Sequence, residues 1–208
     1  MPRPDALPLV TTTFFLVRHA AHDRLGRVLC GRMAGVSLGE TGRAQALKLA
    51  ERVSRETIAA VYTSPLERAR ETATPIAARL GLDLQIAPEI DEIGFGDWSG
   101  LTFDELGRDP RWASWNAARF VTRPPGGGET MLEAQARAVG FVERLREKHR
   151  DGAAALVSHS DLLKAVLAYF LGLSLDFIGR FEIGPASLST LVVGDWGAKI
   201  LTLNEVSA

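Results

Sequence analysis

Two short apolar runs, each ending in a histidine, constrain this chain more than any other feature. Phe14-Phe15-Leu16-Val17 leads directly into Arg18-His19, and the run from Ala153 to Val157 leads into Ser158-His159-Ser160. Continuous apolar stretches of this length read as buried strands. A buried strand has no structural reason to stop in cationic side chains. In an open α/β sheet it has a functional one, because ligands bind outside the carboxyl ends of the strands. An arginine there can clamp a phosphate, and a neutral imidazole beside it can attack one.

Strand and helix signals alternate through the rest of the chain. Thr11 to Val17, Ala59 to Thr63, Leu84 to Ile86 and Ala153 to Val157 read as strands. Glu40 to Val53 places Ala46, Leu47, Ala50 and Val53 at helical spacing. Ser64 as N-cap, Pro65 behind it and Glu67 three residues on predict a helix running to Leu80, with Gly81 as its stop. Thr130 and Glu133 form a second capping box, opening a helix with Leu132, Ala136, Val139, Val142 and Leu145 on one face. Another helix is expected from Asp161 to Leu171. Late strands around Ser187 to Val193 and Lys199 to Asn204 close the sheet, at least one of them antiparallel. The alternation predicts a three-layer α/β/α sandwich around a mostly parallel sheet. Residues 1–10, with three prolines, are expected to be a poorly ordered arm, and 11–208 a single domain. Within it, residues from about 88 to 128 are rich in Gly, Pro and Trp and read as an irregular cap excursion.

Composition narrows the function classes. A length of 208 residues holds one ordinary domain, and a formal net charge of −1 supplies no basic field for nucleic acid. The single cysteine, Cys30, excludes an intrachain disulfide framework and a multi-cysteine zinc site. No signal-peptide pattern is evident, and the longest apolar helix candidate, Leu162 to Leu173, contains Lys164 and is too short to span a bilayer. The expectation is a cytoplasmic protein with neither nucleic acid nor membrane as partner.

Both strand-end histidines, His19 and His159, fall at carboxyl ends, so neighbouring strands would put the two imidazoles in one cleft. Arg68, in the first turn of the helix after a third strand, reaches the same edge. Glu92, in the excursion, is the carboxylate placed to overhang it. Two arginines, two histidines and a carboxylate suit a phosphate dianion.

These residues stand in motifs with a shared pattern: Leu16-Val17-Arg18-His19-Ala20, then Ser37 to Ala46, Tyr62 to Ala73 around Arg68, Ile90-Asp91-Glu92 with Gly96-Asp97-Trp98-Ser99-Gly100, Gly127 to Thr130, and Leu156 to Ser160. In this order, over residues 13 to 204, the chain resembles the histidine phosphatase superfamily, with its phosphoglycerate-mutase-like fold. The resemblance implies that His19 is the nucleophile that takes the phosphoryl group. It implies that Arg18, Arg68, His159 and Ser160 bind phosphate, and that Glu92 is the proton donor and then the base. The implied activity is that of a phosphoric monoester hydrolase of the histidine acid phosphatase type, acting on a small phosphorylated metabolite without metal or cofactor. A phosphoryl mutase of the same fold, a non-catalytic phosphate-binding module and a homodimer stay open.

Departures from the family pattern favour the hydrolase. Ala20 replaces the usual glycine, which is tolerable if its φ is negative. Ala21-His22-Asp23-Arg24-Leu25 lacks the hydroxyl and amide that mutases use. His22 and Arg32 are candidate substrate-pocket residues, whereas Asp91 reads as a solvated neighbour of Glu92. Gly35-Val36-Ser37-Leu38-Gly39 matches a serine-hydrolase elbow, but no buried strand precedes it. The glycine runs at Gly94-Phe95-Gly96 and Gly126-Gly127-Gly128 miss the dinucleotide and P-loop spacings.

Overall fold

The computed structural model describes residues 10–206, so residues 1–9, nearly all of the expected arm, lie outside the described residues. Six strands form one sheet: β1 (Thr11–Arg18), β2 (Ala60–Thr63), β3 (Leu84–Ile86), β4 (Ala153–Ser158), β5 (Ser187–Gly194) and β6 (Gly197–Val206). Their spatial order is β3-β2-β4-β1-β5-β6. The β2–β3, β2–β4 and β1–β4 pairs are parallel, while β5 runs against both β1 and β6. One strand therefore opposes the rest, as expected for a mostly parallel sheet carrying an antiparallel strand. The β1–β4 register sets Val17 opposite Val157 and Arg18 opposite Ser158, so His19 and His159 leave the same edge side by side.

Alternation along the strands divides the core in two. Phe15, Val17, Val61, Ala155 and Val157 face α1 (Glu40–Val53) and α2 (Glu67–Leu80). Phe14, Leu16, Tyr62, Ala154 and Leu156 face α5 (Met131–Lys148) and α6 (Ser160–Leu171). All six residues of β4 are buried, which is why that segment reads as an unbroken apolar run. Burying each larger side chain stabilises the fold by about 1.5–3 kcal/mol, so both faces hold the strand ends firmly.

Three local expectations change. First, α2 starts at Glu67 with Leu66 as its N-cap and no side-chain cap. Pro65 disfavours helical geometry at Ser64, and Ser64 spends its hydroxyl elsewhere, as shown below. The Glu67 carboxylate accepts from the Gly35 N–H instead of closing a box. Second, the Thr130–Glu133 box is formed, but Leu132 and Ala136 are exposed. Val139, Val142 and Leu145 are buried as expected, but the rest of the buried face is Met131, Ala134, Ala138 and Phe141, a set of i+3 and i+4 steps anchored by Met131. In α1, likewise, Leu49 is buried and Leu47 exposed.

Third, the excursion is more ordered than its composition suggests. It holds α3 (Phe103–Leu106), capped by a Thr102–Glu105 box, and α4 (Pro110–Ala117), capped by Asp109 with Pro110 at its first position. Trp98, Trp112 and Trp115 pack together, and the Trp98 indole N–H donates to Asp109. These aromatics carry the excursion over the carboxyl edge of the sheet. No helix among the described residues is long and apolar enough to cross a membrane.

Candidate active site

Four elements deliver side chains to one cavity of about 380 Å³. From the end of β1 come Arg18, His19 and His22; from the first turn of α2, Arg68; from the start of α6, Ser160, with His159 buried just behind the lining; from the excursion, Glu92. The loop after His19 lies hard against α1, where Gly42 is required: a Cβ there would collide with the Ala21 carbonyl. Ala20 has a negative φ and donates its N–H to Thr72 Oγ1 at 2.9 Å, fixing the turn that presents the histidine.

His19 is buried, and its Nδ1 lies 2.8 Å from the Ala20 carbonyl. A carbonyl only accepts, so Nδ1 carries the proton and Nε2 keeps its lone pair. Burial, then the charges of Arg68 and Arg18, hold the imidazole well below its usual range, so the ring is neutral at pH 7. A neutral ring with a free Nε2 is the nucleophilic form.

His159 is wholly buried, 5.2 Å from His19 between ring centroids. Its Nδ1 lies 3.3 Å from an Arg68 Nη2, which can only donate. Nε2 therefore bears the proton and donates to Ser64 Oγ at 2.7 Å, and Ser64 in turn donates to Asp91 Oδ1 at 3.1 Å. Burial, Arg68 and His19 push this imidazole down as well. Ser64 and Asp91 thus form a relay behind His159. Sequence reasoning assigned the first to a helix cap and the second to solvent, and only the tertiary fold brings them together.

Arg68 is 1% exposed. Its Nη2 donates to the Gly31 carbonyl at 2.7 Å, while Nε and Nη1 have no protein partner. Arg18 donates through Nη1 to the Ile183 carbonyl at 2.6 Å, and its Nε is also unpaired. Ser160 lines the cavity but donates its hydroxyl to Ile183 at 3.2 Å. Glu92 accepts from the Ile93 N–H at 3.0 Å, and its other oxygen lies 3.9 Å from His159 Nδ1. Burial, reinforced by Asp161, raises its carboxyl to about 7, so near neutrality it both donates and takes protons.

His22 is 8% exposed and stacks on His19 at 5.4 Å. Burial, then Arg68 and Arg18, lower it to about 4. Arg32 is not in the cavity wall. It donates to the Glu92 carbonyl at 2.6 Å and to Glu129 at 2.8 Å, bracing the acid from behind. Arg137 of α5 joins it, donating to the carbonyls of Glu89 and Glu92 and to both Glu129 oxygens. No spacing in the sequence flags Arg137, because a helical arginine is ordinarily solvated. Cys30 lines the cavity with its thiol raised by burial, so it is not a thiolate. Ser37 is exposed in a loop, away from any strand end.

A buried, anion-complementary pocket holding a free imidazole Nε2 and a carboxyl titrating near neutrality has the parts for phosphoryl transfer. Comparison with known proteins agrees. The family model of the histidine phosphatase superfamily (branch 1) matches residues 14–206. Phosphoserine phosphatase 1 of Hydrogenobacter thermophilus is 32% identical, with 91% of this chain and 90% of that protein covered. The fold superposes on Bacillus stearothermophilus YhfR with a TM-score of 0.87 at 28% identity, covering 94% of this chain and 98% of that one. On the native mycobacterial glucosyl-3-phosphoglycerate phosphatase the TM-score is 0.84 at 25% identity, covering 94% and 99%. This chain belongs to the histidine phosphatase superfamily, and its relatives include phosphatases.

Proposed function

We propose that the protein hydrolyses small phosphomonoesters through a phosphohistidine at His19. The observation that carries this reading is the His19 tautomer: Nδ1 is tied to a carbonyl, which leaves the Nε2 lone pair free in a cavity that Arg18 and Arg68 also line. Nε2 attacks phosphorus, and the bond to the ester oxygen breaks as Glu92 gives that oxygen its proton. Water then attacks the phosphohistidine, the Glu92 carboxylate takes the water's proton, and the P–N bond breaks to release phosphate and neutral His19. The guanidinium groups of Arg18 and Arg68 stabilise charge on the transferring oxygens in both steps. They supply positive charge where a metal would otherwise be needed, and they repel a cation.

The organic part of the substrate would meet the remaining lining of the cavity, which includes Leu25, Val28, Leu29 and Phe103 together with Asp161 and Lys164. Lys164 is the one charged residue between Leu162 and Leu171, and its Nζ lies 3.1 Å from Glu182. The substrates in the two relatives' names, phosphoserine and glucosyl-3-phosphoglycerate, are phosphomonoesters bearing a carboxylate, for which Lys164 is a suitable cation.

Quenched turnover with a ³²P-labelled phosphomonoester, in the presence of a chelator, tests the reading. The label should reside on His19, be lost in acid and persist in base, as a phosphoramidate requires. His19→Ala should lose the label and at least ~10³-fold in turnover. An unlabelled enzyme, or a His19→Ala variant with full activity, would overturn the mechanism.

A further inference from the structure

Seven buried side-chain nitrogens and oxygens among the described residues have no hydrogen-bond partner within the protein, and four of them belong to residues that line this one cavity: Arg18 Nε, Arg68 Nε, Arg68 Nη1 and His22 Nδ1. The general rule is that buried polar groups are paired, and each unpaired one costs about 1–3 kcal/mol. Three of the four belong to guanidinium groups that can only donate, so the group they serve is an acceptor. The fourth belongs to a residue that the mechanism above does not use.

We propose that His22 is a further phosphoryl-binding residue, its ring N–H donating to a nonbridging oxygen of the group that His19 attacks. Its position suits the role. The two rings are stacked at 5.4 Å with planes 30° apart, so His22 lies directly beside the nucleophile. Its surroundings suit it too. Burial and the two guanidinium charges keep the ring neutral, so it adds a donor without adding a third full charge beside Arg18 and Arg68. Neither its carbonyl, which accepts from the Leu25 N–H, nor any side-chain contact occupies the imidazole. A ring that served only to pack would do so better as a leucine or phenylalanine, which carry no nitrogen to bury.

This inference rests on the phosphatase reading but is tested apart from it, with inorganic phosphate as the probe. His22→Phe keeps the ring and its stacking and removes both nitrogens; His22→Gln restores an N–H donor. Competitive inhibition by inorganic phosphate should weaken about 10–100-fold in His22→Phe, the range for one hydrogen bond to a charged group, and recover in part in His22→Gln. kcat/KM should fall by one common factor for an alkyl and an aryl phosphate. Phosphate inhibition equal to the wild type in His22→Phe would overturn the proposal and leave the ring as packing. A loss that differs between the two esters, with phosphate inhibition unchanged, would also overturn it and move His22 to the leaving group. If His19 instead proved not to carry the phosphoryl group, phosphate inhibition would still report on His22.

Discussion

Two pairs of arginines flank Glu92, and they are treated in opposite ways. Behind it, Arg137 engages two backbone carbonyls and both oxygens of Glu129, and Arg32 engages the Glu92 carbonyl and the same carboxylate. In front of it, Arg18 and Arg68 each make one bond to a backbone carbonyl and leave other nitrogens buried and unpaired. The paired side is scaffold, complete within the protein. The unpaired side is costly in the protein alone and becomes favourable once an oxyanion accepts its donors. Pairing, not burial or charge, separates the residues that hold the site from those that use it.

The largest expected effect is at Glu92, where the two sides meet. Glu92→Gln keeps shape and hydrogen bonding but has no transferable proton, so turnover of an alkyl phosphate should fall roughly 10²–10⁴-fold. The loss should shrink for an activated aryl phosphate, whose leaving oxygen needs little protonation. The wild-type pH profile carries the same information. With the carboxyl raised to about 7, the acid form is lost as pH rises through 7, so kcat/KM for the alkyl ester should decline above that value. His19 and His159 are held well below the usual imidazole range and stay neutral into acid, so the profile should extend to low pH. A descending limb that persists in Glu92→Gln would assign it to another group. The linkage sign follows as well: between about 4.5 and 7 the folded state holds the Glu92 proton more tightly than the unfolded chain does. This group's contribution to stability is therefore lost as pH rises through that window.

The second effect tests the scaffold side. Arg137→Met should remove four hydrogen bonds from a partly buried cluster and leave Arg32 as the one cation on Glu129 among the described residues. A loss of ~1–3 kcal/mol in unfolding free energy is expected, between the values for exposed and buried pairs. Activity should fall only about tenfold, through a looser Glu92 backbone, with phosphate inhibition little changed. A strong loss of phosphate affinity in Arg137→Met with stability intact would erase the distinction between the two arginine pairs.

What the sequence made legible follows the same division. His19, His159 and Arg68 could be read because each is tied to the end of a strand or the start of a helix, features that local patterning places at one sheet edge. The sandwich was legible for the same reason: the runs Phe14 to Val17 and Ala153 to Val157 admit few other roles. Ser64, Asp91 and Arg137 could not be read, since their partners are 95, 27 and 8 or more residues away and ordinary local roles were on offer. Ser64 next to Pro65 imitates a helix cap, and Asp91 beside Glu92 imitates a solvated loop pair. Leu132 and Leu47 show the same limit in packing, because an apolar residue on a helix names no face until its neighbours compete for it.

The smallest expected effect concerns the relay behind His159, which belongs to neither arginine pair. Arg68 fixes the lone pair of His159 on Nδ1, and Ser64 receives the Nε2 proton while passing its own to Asp91. When a phosphate dianion occupies the pocket, the buried imidazole gains a reason to take up a second proton and donate from Nδ1. The Asp91 carboxylate, 3.9 Å from Nε2, supplies the counter-charge on the far side. Ser64→Ala removes the hydroxyl through which that charge acts, and Asp91→Asn removes the charge but keeps an acceptor. Losses of about 2- to 8-fold in kcat are expected for the first and about twofold for the second, each within the value of one hydrogen bond. Ser64→Thr, which retains the hydroxyl, should recover most of the loss. Because the relay acts on the protonation of His159, the pH dependence of phosphate inhibition should shift in both variants, whereas simple loosening of the fold would lower affinity equally at every pH. An unshifted profile in Asp91→Asn would end the relay at Ser64 and return Asp91 to the role of a cap on the Glu92 N–H, from which it already accepts at 2.8 Å.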